Sequence, residues 1–300
     1  MILYPLRLSE KIEFYISGSE MEEEKFSTVI VPKSGWFDID VSEIWRYRDL
    51  IFLFVKRNFV ILFKQTILGP AWAVIQPLLT TIVFTVVFGK LAGLSAKGVP
   101  SFLFYLSGTV AWQYFSSALT QTSDTFVENA AILGKVYFPR IVMPISTVIT
   151  NLINFFIQFG IFSVLIVIYA LMGKIHPNTY VLMLPILILH MAMLGLGTGI
   201  IISAATTKYR DLRLLVSFGV QLWMYATPVA YDINIIPDRL RDIYMLNPMT
   251  PVINAFRTAF LGIGSFDLKS YLISWIVTAV ILFIGIILFS RVEKTFVDTV

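Results

Sequence analysis

Lys64-Gln-Thr-Ile-Leu-Gly-Pro-Ala-Trp-Ala-Val-Ile-Gln-Pro-Leu-Leu79 joins a basic amphipathic segment to a long apolar run through one Gly-Pro corner at Gly69-Pro70. Glycine reaches backbone angles closed to other residues and proline fixes φ in a first helical turn, so the pair marks a change of direction. A chain written this way lies along a bilayer and then enters it.

Upstream of the corner, residues 41–70 read as an interfacial helix. At 100° per residue, Arg46, Asp49, Lys56, Arg57 and Lys64 share about a third of the circumference, while Ile44, Ile51, Phe52, Val55, Phe59 and Ile61 occupy the rest. Two compatible roles follow: an anchor whose cations sit among lipid phosphates, or a docking surface for a cytoplasmic partner or an anionic headgroup.

Downstream, composition sets the class. Hydrophobic residues make up 57% of the chain and charged residues 14%, with a mean hydropathy of +0.79, the signature of an integral membrane protein. A hydrocarbon core about 30 Å thick takes about 20 apolar residues per helix. Six stretches qualify: residues 71–91, 102–120, 141–172, 180–205, 212–230 and 271–289. The third exceeds one span and is expected to tilt or to project near Pro144.

An even number of spans puts both termini on one side. That side receives Arg46, Arg48, Lys56, Arg57, Lys64, Lys135, Arg140, Lys208, Arg210, Arg213, Arg291 and Lys294 close to span ends, which makes it cytoplasmic. Residues 1–40 then form a cytoplasmic arm with no signal-peptide core, residues 71–290 a six-helix membrane domain and residues 291–300 a cytoplasmic tail. Within the arm, residues 26–31 read as a short strand. Asp38-Ile-Asp40 has the aspartate spacing of metal-dependent glycosyltransferases but lacks the chain length for their nucleotide fold.

Several chemistries are excluded or disfavoured. Cysteine is absent and His176 and His190 are the two histidines, so thiolate chemistry is excluded and no metal site is expected. Gly89-Lys90, Gly134-Lys135 and Gly173-Lys174 lack the Ser or Thr that completes a phosphate-binding loop, so ATP, if used, binds another subunit. No carboxylate falls in the middle of a span, which argues against coupling to an ion gradient.

Polar residues nevertheless recur at helical spacing. Trp72, Gln76 and Thr80 share a face of the first span, Gln113, Ser117, Thr120 and Asp124 one of the second, and Thr147, Asn151, Asn154 and Gln158 one of the third. Phe218, Gln221 and Tyr225 align on the fifth. Such rows either glue helices together or line a wet cavity. Gly195, Gly199 and Ser203 form a small-residue stripe suited to close backbone approach, and His190 reads as a hydrogen-bonded packing residue.

Two loops have internal order. Ser123-Asp124 can cap a short helix running to Leu133, followed by Lys135-Val-Tyr-Phe-Pro-Arg140. Residues 237–246 and 251–261 each open on proline, with Thr250 a possible cap. They are too short to cross, and with Asn254 and Arg257 on the second they read as a pair of re-entrant helices.

Trp45-Arg-Tyr-Arg-Asp-Leu50, the pattern from Phe63 to Leu78, Lys135-Val-Tyr-Phe-Pro-Arg140, Lys208-Tyr-Arg-Asp211, Thr227-Pro-Val-Ala-Tyr231 and Leu246-Asn-Pro248 together resemble the membrane subunit of ABC-2 type polysaccharide exporters. The resemblance runs from about Trp36 to the C-terminus. It implies an all-α permease of six transmembrane helices, preceded by a cytoplasmic amphipathic interface helix and carrying two re-entrant helices between the fifth and sixth spans. It also implies a homodimer in the bacterial inner membrane with two copies of a P-loop ATPase subunit that bind ATP and magnesium. The chain itself would bind no cofactor and no nucleic acid, and would be no enzyme. The implied cargo is an undecaprenyl-diphosphate-linked glycan, O-antigen first, with capsule or teichoic acid as variants.

Carried over onto this sequence, Asp124, Glu128, Lys135, Tyr137, Phe138 and Arg140 belong to the ATPase-coupling segment, and Pro237, Asn254 and Arg257 to an external gate. Sugar rings stack on aromatic faces and bond to amides, which makes Trp72, Gln76, Phe84, Tyr105, Trp112, Phe115, Gln221, Trp223 and Tyr225 candidates for a channel, with Gln113 and Tyr114 beside them. An interfacial aromatic belt explains Trp112 and Tyr114 equally well. Arg46, Arg57 and Lys64 are candidates for the lipid-diphosphate entrance. Two other functions stay open: an ABC-2 permease for a drug or small lipid, and a membrane enzyme acting on lipid-linked sugars.

Overall fold

The computed structural model describes residues 41–64, 67–133, 135–136, 138–206, 209 and 211–295. The expected strand at 26–31, Asp38, Asp40, Tyr137, Lys208 and Arg210 lie outside the described residues. Among those described, regular structure is helical throughout.

The amphipathic segment forms two helices, α1 (Val41–Arg46) and α2 (Arg48–Phe63), and not one helix to the Gly-Pro corner. Lys64 turns extended, with ψ at 134°. Gly69 then takes a left-handed φ of 48° before the short 3-10 turn Gly69–Ala71, a conformation that penalises side chains bearing a Cβ. The Gly-Pro pair read from the sequence therefore does sit at a break in helical backbone, reached after α2 has already ended.

Next comes α3 (Trp72–Phe84), finished by a π-helical turn at Thr85–Leu91. Then follow α4 (Ser101–Glu128), the single turn α5 (Ala130–Leu133), α6 (Val142–Leu171), α7 (Leu184–Thr206), α8 (Leu212–Tyr225), α9 (Asp238–Leu246), α10 (Met249–Leu261) and α11 (Leu268–Thr295).

Among the described residues, four helical stretches are long and apolar enough to cross a membrane: Gly69–Leu91, Val142–Leu171, Thr179–Thr206 and Leu268–Phe289. The other two expected spans fall short for different reasons. Helix α4, at 28 residues, extends about 42 Å, but Ser, Thr and Gln interrupt its apolar run. Those residues face protein or an internal cleft: α4 is the central helix, with α3, α6, α7, α8 and α10 packed around it. Helix α8 has only 14 residues, or about 21 Å.

Local boundaries correct the sequence in two loops. Ser123 and Asp124 do not cap a new helix; α4 runs through them to Glu128, and Ser123 Oγ donates back to Thr120 O at 2.6 Å. The break comes at Asn129, leaving a four-residue α5. Likewise Thr250 lies inside α10, which starts at Met249 after Pro248, and Pro237 precedes the first residue of α9.

The glycine stripe of α7 sets how closely the centre packs. A Cβ on Gly199 would sit 2.6 Å from Thr122 Cβ, and one on Gly195 2.9 Å from Ala118 Cβ. The two backbones therefore meet with nothing between them, as small residues permit in membrane helices. His190 of α7 is fully buried, with Nε2 2.9 Å from Thr278 Oγ1 and its ring stacked on Trp275 at 4.3 Å, the packing role expected of it. Gly199→Val should force α4 and α7 apart and destabilise the fold by about 1–3 kcal/mol. Gly160→Ala in α6, where an added Cβ would meet nothing within 4 Å beyond its own helical turn, should leave thermal unfolding in detergent unchanged or slightly raised.

Candidate functional site

Three of the polar rows converge. The end of α2, the start of α3 and the middles of α4 and α6 enclose a cleft of about 210 Å³. Six amide side chains line it: Gln76 from α3, Gln113 and Gln121 from α4, and Asn151, Asn154 and Gln158 from α6. Trp72, Tyr114, Phe155 and Phe63 supply aromatic walls, and Ser117 adds a hydroxyl. Periodicity explains the convergence, since residues three and four apart project from one helix face.

Some of these amides hold helices together. Asn151 Nδ2 donates to Gln121 Oε1 at 2.9 Å, tying α6 to α4, and Gln113 Nε2 donates to Ser117 Oγ at 3.0 Å. Others are unspent: Asn154 Oδ1, Gln158 Oε1 and Tyr114 Oη are buried without a protein partner. Gln158 is 7% exposed and Tyr114 2%. A buried polar atom without a partner costs roughly 1–3 kcal/mol, so the cleft favours contents that hydrogen-bond.

The nine channel candidates divide. Trp72 and Gln76 line the cleft. Phe84, Tyr105, Trp112 and Phe115 are buried in the core, with Phe84 against Tyr105 at 6.2 Å and Trp112 against Phe115 at 5.3 Å. Trp223 packs edge-on against Phe115 at 5.1 Å and donates Nε1 to Asn247 Oδ1 at 3.0 Å. Gln221 and Tyr225 lie exposed on α8. Gln121, Asn151, Asn154 and Gln158 were outside the nine, although the spacing of Thr147, Asn151, Asn154 and Gln158 carried the signal for three of them.

At the end of the bundle carrying α2, the interface helix is fastened to the α4–α6 connection. Ile51, Phe54 and Val55 are buried in a cluster with Phe126, Leu133, Phe138 and Ile141, and the Phe54 and Phe138 rings lie 5.6 Å apart. Arg57 sits 4.9 Å over the Phe54 ring, and its Nη2 donates to Asn129 Oδ1 at 2.6 Å and to Asn58 Oδ1 at 3.0 Å. Burial lowers the guanidinium's pKa without discharging it. Asn129, at the break after α4, passes the contact on by donating to Thr125 O at 2.8 Å.

Asp124 Oδ1 lies 3.0 Å from Arg213 Nε of α8, both groups about one-third exposed. Burial raises this carboxyl above its ordinary range and the Arg213 charge opposes the rise. Arg46, Lys64, Glu128 and Lys135 are exposed, and Arg140 is half-buried. Arg57 and Asn129 should therefore couple energetically. Each alanine variant should lose stability, with an interaction energy of about 1–2 kcal/mol in a double-mutant cycle.

A second cavity, of about 280 Å³, lies toward the other end of α4, between Phe104, Asp232, Asn234, Asn254, Arg257 and Asp267. Arg257 is 3% exposed and belongs to the protein interior. Its Nη1 donates to Pro228 O at 2.6 Å and Tyr231 O at 3.3 Å, its Nη2 to Val229 O at 2.7 Å, and the guanidinium lies 3.8 Å over Phe104. Asn254 of the same helix faces the cavity, while Pro237 is exposed ahead of α9. Asp267, outside the spans, accepts from Ser270 Oγ at 2.5 Å, which lowers its carboxyl below the usual range. Arg257→Met keeps the length but strands three carbonyls. It should cost about 3 kcal/mol or more, read as a lower unfolding temperature or loss of monodisperse protein.

A central polar helix wrapped by apolar ones, an interface helix fastened to the loop after it, and a hydrogen-bonding cleft together define a multi-pass membrane transporter subunit. The chain belongs to the ABC-2 type transporter family, whose pattern matches residues 49–261. Among similar proteins, O-antigen export system permease protein RfbA of Klebsiella pneumoniae is 26% identical over 251 residues, covering 83% of this chain and 94% of the relative. A Myxococcus xanthus protein of the same name is 28% identical over 262 residues, covering 87% and 98%. The polysialic acid transport protein KpsM of Escherichia coli is 22% identical over 230 residues, covering 76% and 87%.

Proposed function

We propose that this chain is the permease subunit of an ATP-driven exporter that moves undecaprenyl-diphosphate-linked polysaccharide, O-antigen in the first place, across the bacterial inner membrane. The observation that carries the reading is the cleft. Amides, hydroxyl and aromatic faces together offer hydrogen bonds and stacking surfaces to a polyhydroxylated chain, and the relatives named for O-antigen export share most of this chain's length. A drug or lipid permease would want an apolar pocket, and the six amides disfavour it.

In this reading α4 and α8 complete six spans, and α9 and α10 form the paired re-entrant helices. The buried capping of the 228–231 carbonyls is what non-helical backbone at membrane depth requires. Both termini lie in the cytoplasm, from the placement of lysine and arginine. Two copies of the chain form the pathway, which supplies cover for Gln221 and Tyr225 on the outer face of α8. ATP and magnesium bind a separate P-loop subunit resting on α2 and on the segment from Glu128 to Arg140. The Arg57 to Asn129 contact joins those two surfaces.

Reconstitution in vesicles with its partner ATPase tests the proposal. ATP-dependent movement of a lipid-linked polysaccharide is the expected result. Transport of a small amphiphile in place of any glycan, or glycan turnover without the ATPase, would overturn it.

A further inference from the structure

We propose that the amide-lined cleft is a charge filter: it passes glycans whose repeat units are uncharged and rejects those carrying a carboxylate in every repeat. The inference rests on the exporter reading and concerns the cargo of the same cleft.

None of the described residues lining the cleft is aspartate, glutamate, lysine or arginine. Of the cations nearest in sequence to its walls, two are engaged elsewhere and a third is exposed. Arg57 of α2 is held on Asn58 and Asn129, and Lys64 is exposed beyond the end of the helix. Arg213 faces Asp124, one turn past Gln121 on α4. An anion entering the cleft would give up hydration and meet no opposite charge, the situation in which a buried charge is least tolerated.

The unspent groups select in the same direction. Asn154 Oδ1 and Gln158 Oε1 are buried acceptors without donors. Hydroxyl and acetamido groups of a neutral sugar bring O–H and N–H donors to them, whereas an ionised carboxylate brings acceptors only. Amides elsewhere in the cleft both donate and accept, so they match hydroxyls in either sense and hold no single one tightly. For a polymer the penalty of a charge recurs at every repeat, unlike that of the single diphosphate at its lipid end.

The test uses the complex of this chain with its ATPase in vesicles and two lipid-linked glycans of equal length. One is a neutral hexose polymer and the other has the same backbone with glucuronic acid in each repeat. The neutral glycan should move at least about tenfold faster, a difference of about 1.4 kcal/mol in the barrier. Asn154→Lys, and separately Gln76→Lys at the exposed rim of the cleft, should each narrow that ratio by about threefold or more. Two lysine sites guard against one variant failing to assemble, which ATPase-dependent co-purification reports. Equal export of both glycans, or a ratio untouched in an assembled lysine variant, overturns the filter and leaves the exporter reading standing. Movement of neither glycan overturns both.

Discussion

The guanidinium of Arg257 holds a largely buried, non-helical stretch of this bundle by donating to the carbonyls of Pro228, Val229 and Tyr231. In an apolar surrounding a bare carbonyl has no water to turn to, so irregular backbone survives where protein satisfies it. One side chain with five donors meets three carbonyls and lies on the Phe104 ring besides. Because Arg257 comes from α10, Phe104 from α4 and the carbonyls from the chain after α8, one group fixes three elements. Asn247 repeats the device nearby: it accepts from Trp223 Nε1, donates to Thr227 Oγ1 at 2.8 Å, and accepts from Met249 N.

These contacts give physical content to two of the strings that made the sequence recognisable. Thr227-Pro-Val-Ala-Tyr231 supplies the carbonyls that Arg257 captures, and Leu246-Asn-Pro248 supplies the asparagine that closes the turn into α10. Both were legible as patterns, and neither could be read as a partnership. The partners lie about 20 to 30 residues apart in sequence, and helical spacing speaks only of neighbours a turn away. For the same reason Arg257 reads in sequence as a gate residue, while its geometry is that of an interior clamp beside the second cavity.

The polar rows show the opposite balance. Thr147, Asn151, Asn154 and Gln158 declare one face of α6 through spacing alone, and Trp72 with Gln76 does the same for α3. What the sequence leaves open is which rows meet and which serve as glue, since both demand that polar groups face protein. Tertiary packing decides. Asn151 is spent on Gln121, whereas Asn154 and Gln158 keep unpaired acceptors. The aromatics were less readable, because a ring at helical spacing suits a core, a lipid belt or a cleft equally. Phe84, Tyr105, Trp112 and Phe115 went to the core around α4. Helix α4 is less apolar than the four long helices for a related reason: hydropathy measures fitness for lipid, and a helix surrounded by helices is not selected for it.

Helix α2 takes part in both halves of the molecule's arrangement. Its middle is fastened to the connection after α4 through Phe54 on Phe138 and Arg57 on Asn129. Its last residues, Leu62 and Phe63, form part of the cleft's wall beside Trp72 and Gln76. Beyond them the chain turns extended at Lys64 and left-handed at Gly69 before α3 begins. Such a joint can absorb a change of angle that a continuous helix would have to take up by breaking hydrogen bonds. A displacement of α2 is therefore at once a displacement of the α4–α6 connection and of the cleft's rim. Under the proposed assembly, that gives an ATPase resting on this surface a short mechanical path to the cargo.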